Sequence, residues 1–360
     1  MGPPEQEMQA DVITGVPSSL ALATIHRIKR STKFHRKQRA AQKRAHKKAQ
    51  KAKRRRASPV LKNRTALPGL KPRAATVVCP EILDFDRDGN GTVEFFHHLD
   101  RALLGITFQV VVDHRPLVNL SPAAALVLIA HMYRAQRRNK DLTLLVHLPP
   151  PGDARDLLGM IGYYDYCQSV NWVAPRSSTR FYLAHKTGVN VKTDLATELC
   201  EHFQSGPKIN IPKLYVALIE GMGNACEWGY EKRTHGYRNW WLLGYRDGNT
   251  NEIAYSFYDQ GVGIPVSIRT RFADWFPLFR PRGSDLIEKA VTEGRYSRTK
   301  QKGRGTGLPS LLDFVEQGSD GELLILSNES RCIFHHGKSP TKDDFTIGLR
   351  GTLISWSFKP

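Results

Sequence analysis

The chain is predicted to be an α/β protein, and three observations carry that expectation. From about residue 75 onward, strand-like apolar runs alternate with helix-like ones: ITFQVVVD, then SPAAALVLIAHMYRAQRRN, then LTLLVHLP. Glycine-rich turns stand where a strand ends or a helix begins, in DQGVGIP and GRGTGL. A hydrophobic content of 40% over 360 residues is enough for two ordinary domains with real cores.

Charge divides the chain further. The net charge is +19, and between His26 and Arg64 stand 18 Lys or Arg with no Asp or Glu. Setting those 18 aside from the total of 53 leaves 35 basic residues against 34 acidic ones, so the rest of the chain is near neutral. Four parts follow. Residues 1–25 form a short arm. Residues 26–74 form a basic tail and a linker containing Pro59, Pro68 and Pro72. Residues 75–190 form a small α/β domain, and residues 191–360 a second one.

The tail is rich in Lys, Arg, Ala and Gln, and self-repulsion is expected to keep it disordered when alone. A polyanion would neutralise it and release counterions, which makes nucleic acid the natural partner of residues 26–64. Phe34 is its one aromatic residue, so base stacking is not indicated and binding should be sequence-tolerant and salt-sensitive. An acidic membrane surface, ribosomal RNA, a nuclear-localisation patch and a plain solubilising tail are the rival readings.

The five cysteines, Cys79, Cys167, Cys200, Cys226 and Cys332, form no CxxC pair, which suits free thiols in a reducing, cytoplasmic setting. No apolar run approaches the ~20 residues of a membrane span. The acidic start of the chain (Glu5, Glu7, Asp11) lacks the basic region of a secretory signal.

In the middle domain, ITFQVVVD and LTLLVHLP read as strands. SPAAALVLIAHMYRAQRRN reads as a helix with Ser121 as N-cap and Pro122 at its first position. GDARDLLGMIGYYDY reads as a second helix and NWVAP as a closing strand. DRDGNGTVEFFH has Asp86, Asp88, Asn90, Gly91 and Glu94 at calcium-loop spacing, but His97 stands where a bidentate Glu is needed. A turn explains those residues as well. Neither adjacent pair, His97–His98 or His335–His336, has the geometry of a metal site.

The C-terminal domain carries the chemistry. LYVALIEGMGNACEWGY has apolar residues at Leu214, Ala217, Leu218 and Met222, an amphipathic helix on which Glu220 and Asn224 lie one turn apart. A carboxylate there can orient and deprotonate a water, and an amide oxygen can help hold magnesium. NWWLLGYR and EIAYSFYD, joined by DGNT, read as a hairpin that leads into DQGVGIP. GRGTGLPSLLDFVEQ reads as a glycine-rich loop opening a helix, where backbone N–H groups form an anion site.

These three stretches, in this order, resemble the GHKL ATPase family, which includes DNA gyrase, histidine kinases and anti-sigma-factor kinases. The resemblance spans roughly residues 193–358. It implies a two-layer α/β sandwich that binds ATP and Mg²⁺. Glu220 would be the general base and Asn224 the magnesium ligand. Asp259 would accept from the adenine amino group, with Gly261 and Gly263 leaving room for the base. Gly303, Gly305 and Gly307 would wrap the phosphates, and Thr352, in GTLISWSF, would lie near the nucleotide. The segment before GRGTGL would be a lid, with Arg298, Lys300, Lys302 and Arg304 near the phosphates.

Residues 75–190 loosely resemble STAS domains. The family's Asp-Ser-Ser-Gly acceptor motif is absent, with Leu120, Ser121, Pro122 and Ala123 in its place. Docking of a protein partner is then the expected role. Trp228 stands where anti-sigma-factor kinases often carry His, and His202 lacks the flanking residues of a phosphorelay histidine. Three functions remain open: an ATPase or ATP-driven switch, a protein serine/threonine kinase of the anti-sigma type, and a non-catalytic nucleotide-binding scaffold. GHKL proteins often dimerise, but no dimer element is visible in the sequence.

Overall fold

The computed structural model describes residues 74–359, apart from 106–107, 169, 176–179, 203–209, 227–237, 272–280, 294–306 and 317–318. The basic tail, Phe34 and Trp228 lie outside the described residues. Residues from Lys71 to Pro360 form one compact unit of mixed α/β structure.

The N-terminal half of this unit builds a parallel sheet of three strands in the order β1 (Ala74–Val78), β3 (Gln109–Asp113), β5 (Thr143–His147). Two short strands, β2 (Ile82–Leu83) and β4 (Asn119–Leu120), pair beside it. Helix α1 (Gly89–Leu104) links β2 to β3, and α2 (Pro122–Arg138) links β4 to β5. Ser121 caps α2 as expected, its Oγ accepting from Ala124 N at 3.3 Å, with Pro122 at the first position.

Two readings of this half are corrected. The DRDGNG stretch is not a calcium loop: a turn at 85–88 leads into a helix, where Asp88 accepts from Gly91 N at 3.0 Å and starts the 16-residue helix α1. Asp88 is thus spent as an N-cap, and the remaining acids lie on either side of a helix start. NWVAP forms no strand, and the helix after Gly152 ends at Met160, giving α3 (Asp153–Met160) and then a 3₁₀ turn at Tyr163–Tyr166. Gly162, with φ +84°, breaks the α-helical run before that turn.

The C-terminal half builds a five-stranded sheet in the order β6 (Arg180–Gly188), β7 (Trp240–Asp247), β8 (Ile253–Asp259), β10 (Thr341–Lys359), β9 (Ser319–His335). Every pairing among these strands is antiparallel. The sheet begins at Arg180, ahead of the division placed at residue 191. The remaining helices are α4 (Thr193–His202), α5 (Ile211–Asn224), α6 (Ile264–Arg271), α7 (Gly283–Thr292) and α8 (Gly307–Val315).

Strand alternation explains why both faces of this sheet are covered. Trp240, Leu242, Tyr255, Phe257, Ile325, Ile354 and Trp356 point into one core, shared with α4, α5, α7 and α8. Their neighbours Trp241, Leu243, Tyr258, Leu326 and Leu353 point into the other, shared with α1, α2 and the parallel sheet. Helix α2 is therefore buried nearly all round, from Ala123 to Met132. Burying each large apolar side chain of this kind contributes roughly 1.5–3 kcal/mol, and the tryptophans at 240 and 241 serve packing on opposite faces.

Two polar junctions fix the pieces. The Arg331 guanidinium binds Asp343 Oδ2 through Nε (3.0 Å) and Nη2 (2.7 Å), and reaches across to the carbonyls of Phe85 and Asp86. Asp344 accepts from Ser284 N (3.1 Å), Ser284 Oγ (2.7 Å) and Ser330 Oγ (2.6 Å), tying the start of α7 to the β9–β10 hairpin. Burial pulls its carboxyl pKa up, but the bonds from Ser330 and Ser284 outweigh that and hold it below the usual value. Asp344 is exposed, and solvent screens its bonds, so Asp344→Ala should lower unfolding stability by about 1 kcal/mol. Urea denaturation of both proteins measures it.

Among the described residues, no helix is long and apolar enough to cross a membrane, and no cluster of three or more metal-ligating side chains occurs.

Candidate functional site

The site begins where β8 ends. Residues 253, 255, 257 and 259 share one face, so Asp259 lies on the helix-covered side with Tyr255 and Phe257. It is 5% exposed. Gly261 N donates to its Oδ1 at 2.7 Å, folding the carboxylate back over the DQGVG turn. Burial raises its pKa from the ordinary 3.8 to about 7, with the Gly261 bond opposing. A carboxylate so placed is short of donors, and a ligand N–H would satisfy it.

Thr352 stands directly opposite Asp259 in the β8–β10 ladder. It shares the helix-covered face with Ile354 and Trp356 and is buried. Its Oγ1 lies 3.0 Å from Ser327 Oγ. Ser327 also accepts from Ile264 N at 2.8 Å, at the start of α6 just beyond the turn. The ladder thus brings together Asp259 and Thr352, distant in sequence, and adds Ser327, which the sequence reading missed.

Asn328 was missed too. Its backbone has φ +53°, a conformation Asn tolerates better than most residues. Its Nδ2 donates to Val262 O at 2.8 Å, and its Oδ1 accepts from Gly351 N at 3.4 Å. It clamps the glycine turn to the last strand. The signal was present as a Ser-Asn pair interrupting the apolar run ELLIL. Gly263, with φ +84°, is required at this point, since a Cβ there would come within 2.4 Å of the Asn328 amide.

Glu220 and Asn224 lie on α5, which Asn210 caps through Lys213 N at 3.2 Å. The helix buries Leu214, Ala217, Leu218, Gly221 and Met222 against the same sheet face as Asp259. A Cβ at Gly221 would meet the Phe257 ring at 3.7 Å, an ordinary contact. Glu220 and Asn224 are half-buried. Asn224 Nδ2 is buried without a hydrogen-bond partner among the described residues.

Helix α8, which starts at Gly307, packs beside α5. Gly261 is half-buried and Gly263 buried in the turn. Gly303 and Gly305 lie outside the described residues, as do Arg298, Lys300, Lys302 and Arg304. The structure therefore gathers Asp259, Gly261, Gly263 and Thr352 at one strand end, with the helix of Glu220 and Asn224 on the same face.

Compared with known proteins, the chain matches no protein-family model and no curated sequence.

Proposed function

We propose that the chain is a GHKL-type ATP-binding protein that holds Mg²⁺-ATP on the helix-covered face of its five-stranded sheet. The observation that carries this reading is the register pairing of Asp259 with Thr352, both buried on the face against which the Glu220–Asn224 helix packs. A buried acceptor beside a buried hydroxyl, at the end of a Gly-x-Gly turn, suits the edge of a purine with an exocyclic amine. The orphaned Asn224 amide fits a magnesium ligand once its oxygen turns to the ion.

In this reading Asp259 accepts from the adenine amino group and Thr352 supplies a second polar contact. Gly261 and Gly263 keep side chains out of the base's space. Asn224 Oδ1 would hold the magnesium, and Gly303, Gly305 and Gly307, as the resemblance implies, would present backbone N–H groups to the phosphates. Glu220 orients a water and takes its proton. Bound Mg²⁺-ATP supplies the electrophilic γ-phosphate. ATP hydrolysis or an ATP-driven switch is the function best supported, in a cytoplasmic setting that suits free thiols. The STAS-like half would dock a protein partner. The basic tail would bring the switch to nucleic acid, with affinity falling steeply as salt rises.

Glu220→Gln should cut phosphate release by ~10²- to 10⁴-fold, the usual worth of a general base, and leave ATP affinity within about threefold. Phosphate release with calorimetry on the same protein tests this. Equal turnover in the variant removes Glu220 from the chemistry, and label from γ-labelled ATP ending on protein indicates a kinase.

A further inference from the structure

On the opposite face of the sheet, a cleft of about 290 Å³ opens between the N-terminal half and the strand ends. Its size suits a small metabolite and lies at the lower limit of ligand pockets. Phe96 and Leu349 supply apolar wall, and Asp100, His131, Glu329 and Arg350 supply polar groups.

The chemistry of the two walls differs. His131 is 3% exposed, and its Nδ1 lies 2.8 Å from Val127 O. A carbonyl only accepts, so Nδ1 carries the proton and Nε2 keeps its lone pair. Burial holds the imidazole pKa down, which favours that neutral form. Nε2 stands 3.8 Å from Asp100 Oδ1, so two acceptors face one another. Arg134 Nη1 lies 3.6 Å from the same Asp100 oxygen, too far for a hydrogen bond, and has no such partner among the described residues. The wall thus presents two acceptors, Asp100 Oδ1 and His131 Nε2, beside the Arg134 guanidinium. On the other wall, Arg350 uses Nε to bind Gln260 O at 3.3 Å, which leaves its Nη groups for an acceptor.

We propose that this cleft is a second ligand site, for a small zwitterion of the α-amino-acid class. The ligand's ammonium lies between Asp100 and His131 Nε2, its carboxylate meets Arg350, and its side chain lies toward Phe96 and Leu349. Residues of the cleft also hold the glycine turn from behind. Arg350 binds Gln260 O, and Asn328 binds Val262 O at 2.8 Å. Occupancy should therefore alter ATP affinity, and ATP should alter the zwitterion's affinity by the same factor. That coupling rests on the nucleotide reading, whereas the site itself does not.

The test uses the full chain without nucleotide. Thermal shift against the twenty common α-amino acids selects candidates, and calorimetry measures them. The expected result is 1:1 binding of at least one amino acid, with its decarboxylated amine and its deaminated acid each at least about tenfold weaker. Asp100→Asn and Arg350→Gln should each weaken binding at least about tenfold in proteins whose far-UV circular dichroism is unchanged. Binding of none of the twenty to folded wild type overturns the inference, as does an amine that binds as well as its amino acid. The amine and acid comparison decides on wild type alone if a variant fails to fold. ATP titrated into the same samples separates the two readings. ATP binding without amino-acid binding overturns this inference only, and the reverse overturns only the nucleotide reading.

Discussion

Asp259→Asn should stabilise the ligand-free protein at neutral pH while abolishing nucleotide binding. The carboxyl is buried, and burial raises its pKa from 3.8 to about 7. That shift corresponds to a penalty on the order of 4 kcal/mol for the ionised form. The sign follows from linkage: a group whose folded pKa is raised contributes its stability below its unfolded pKa and loses it as pH rises through the folded one. For Asp259 that loss runs from about pH 4 to about pH 7. The neutral amide escapes it and can still accept from Gly261 N. Thermal melts at pH 8 should show the variant higher by several degrees, and melts at pH 4 should bring the two proteins together. The acid-sensitive groups elsewhere are common to both proteins and cancel. ATP binding should move oppositely, because Asn presents an N–H toward the adenine amino group. A variant that melts below wild type at pH 8 would show that Asp259 is not held against its own charge.

Gly351→Ala should be among the most damaging single substitutions in the chain. Gly351 has φ +93°, and a Cβ there would sit 2.0 Å from Asp259 O and 2.7 Å from Gln260 Cα. Both obstacles are backbone, so no side chain can swing aside. Either the β8–β10 ladder opens at its end or the DQGVG turn moves, and Thr352 and Asp259 move with it. A loss of at least about 3 kcal/mol in urea denaturation is expected, combining backbone strain with displaced packing. Gly337→Ala is the control: its φ is +67°, but nothing lies within 4 Å of its added Cβ. It should lose only the strain, about 1 kcal/mol. Equal effects at the two glycines would contradict the close approach at Gly351.

The elements legible in the sequence were those with local signals. Ser121 and Pro122 marked the start of α2, the DGNT turn marked the β7–β8 hairpin, and the apolar period of LYVALIEGM marked α5. What escaped depended on partners far along the chain. Asp88 and its neighbours look like turn residues until the chain behind them is seen as a helix, because N-caps and turns use the same side chains. The 17-residue β9 and 19-residue β10 are interrupted by Asn328 and Gly351, which read locally as breaks. Both interruptions are where the strands meet the glycine turn. The opposition of Asp259 and Thr352, and the clamp made by Ser327 and Asn328, follow from sheet register, which no local pattern encodes. Glu220, Asn224, Asp259 and the turn glycines were read from their own motifs, and only the folded sheet shows that α5 covers the face on which Asp259 lies.

The most direct test of nucleotide binding is calorimetric titration of Mg²⁺-ATP into the full-length wild-type chain, with Asp259→Asn alongside. The account predicts saturable binding of one ATP per chain to wild type, lost in the variant although it remains folded. Absence of binding to wild type, or equal binding to both proteins, would contradict it.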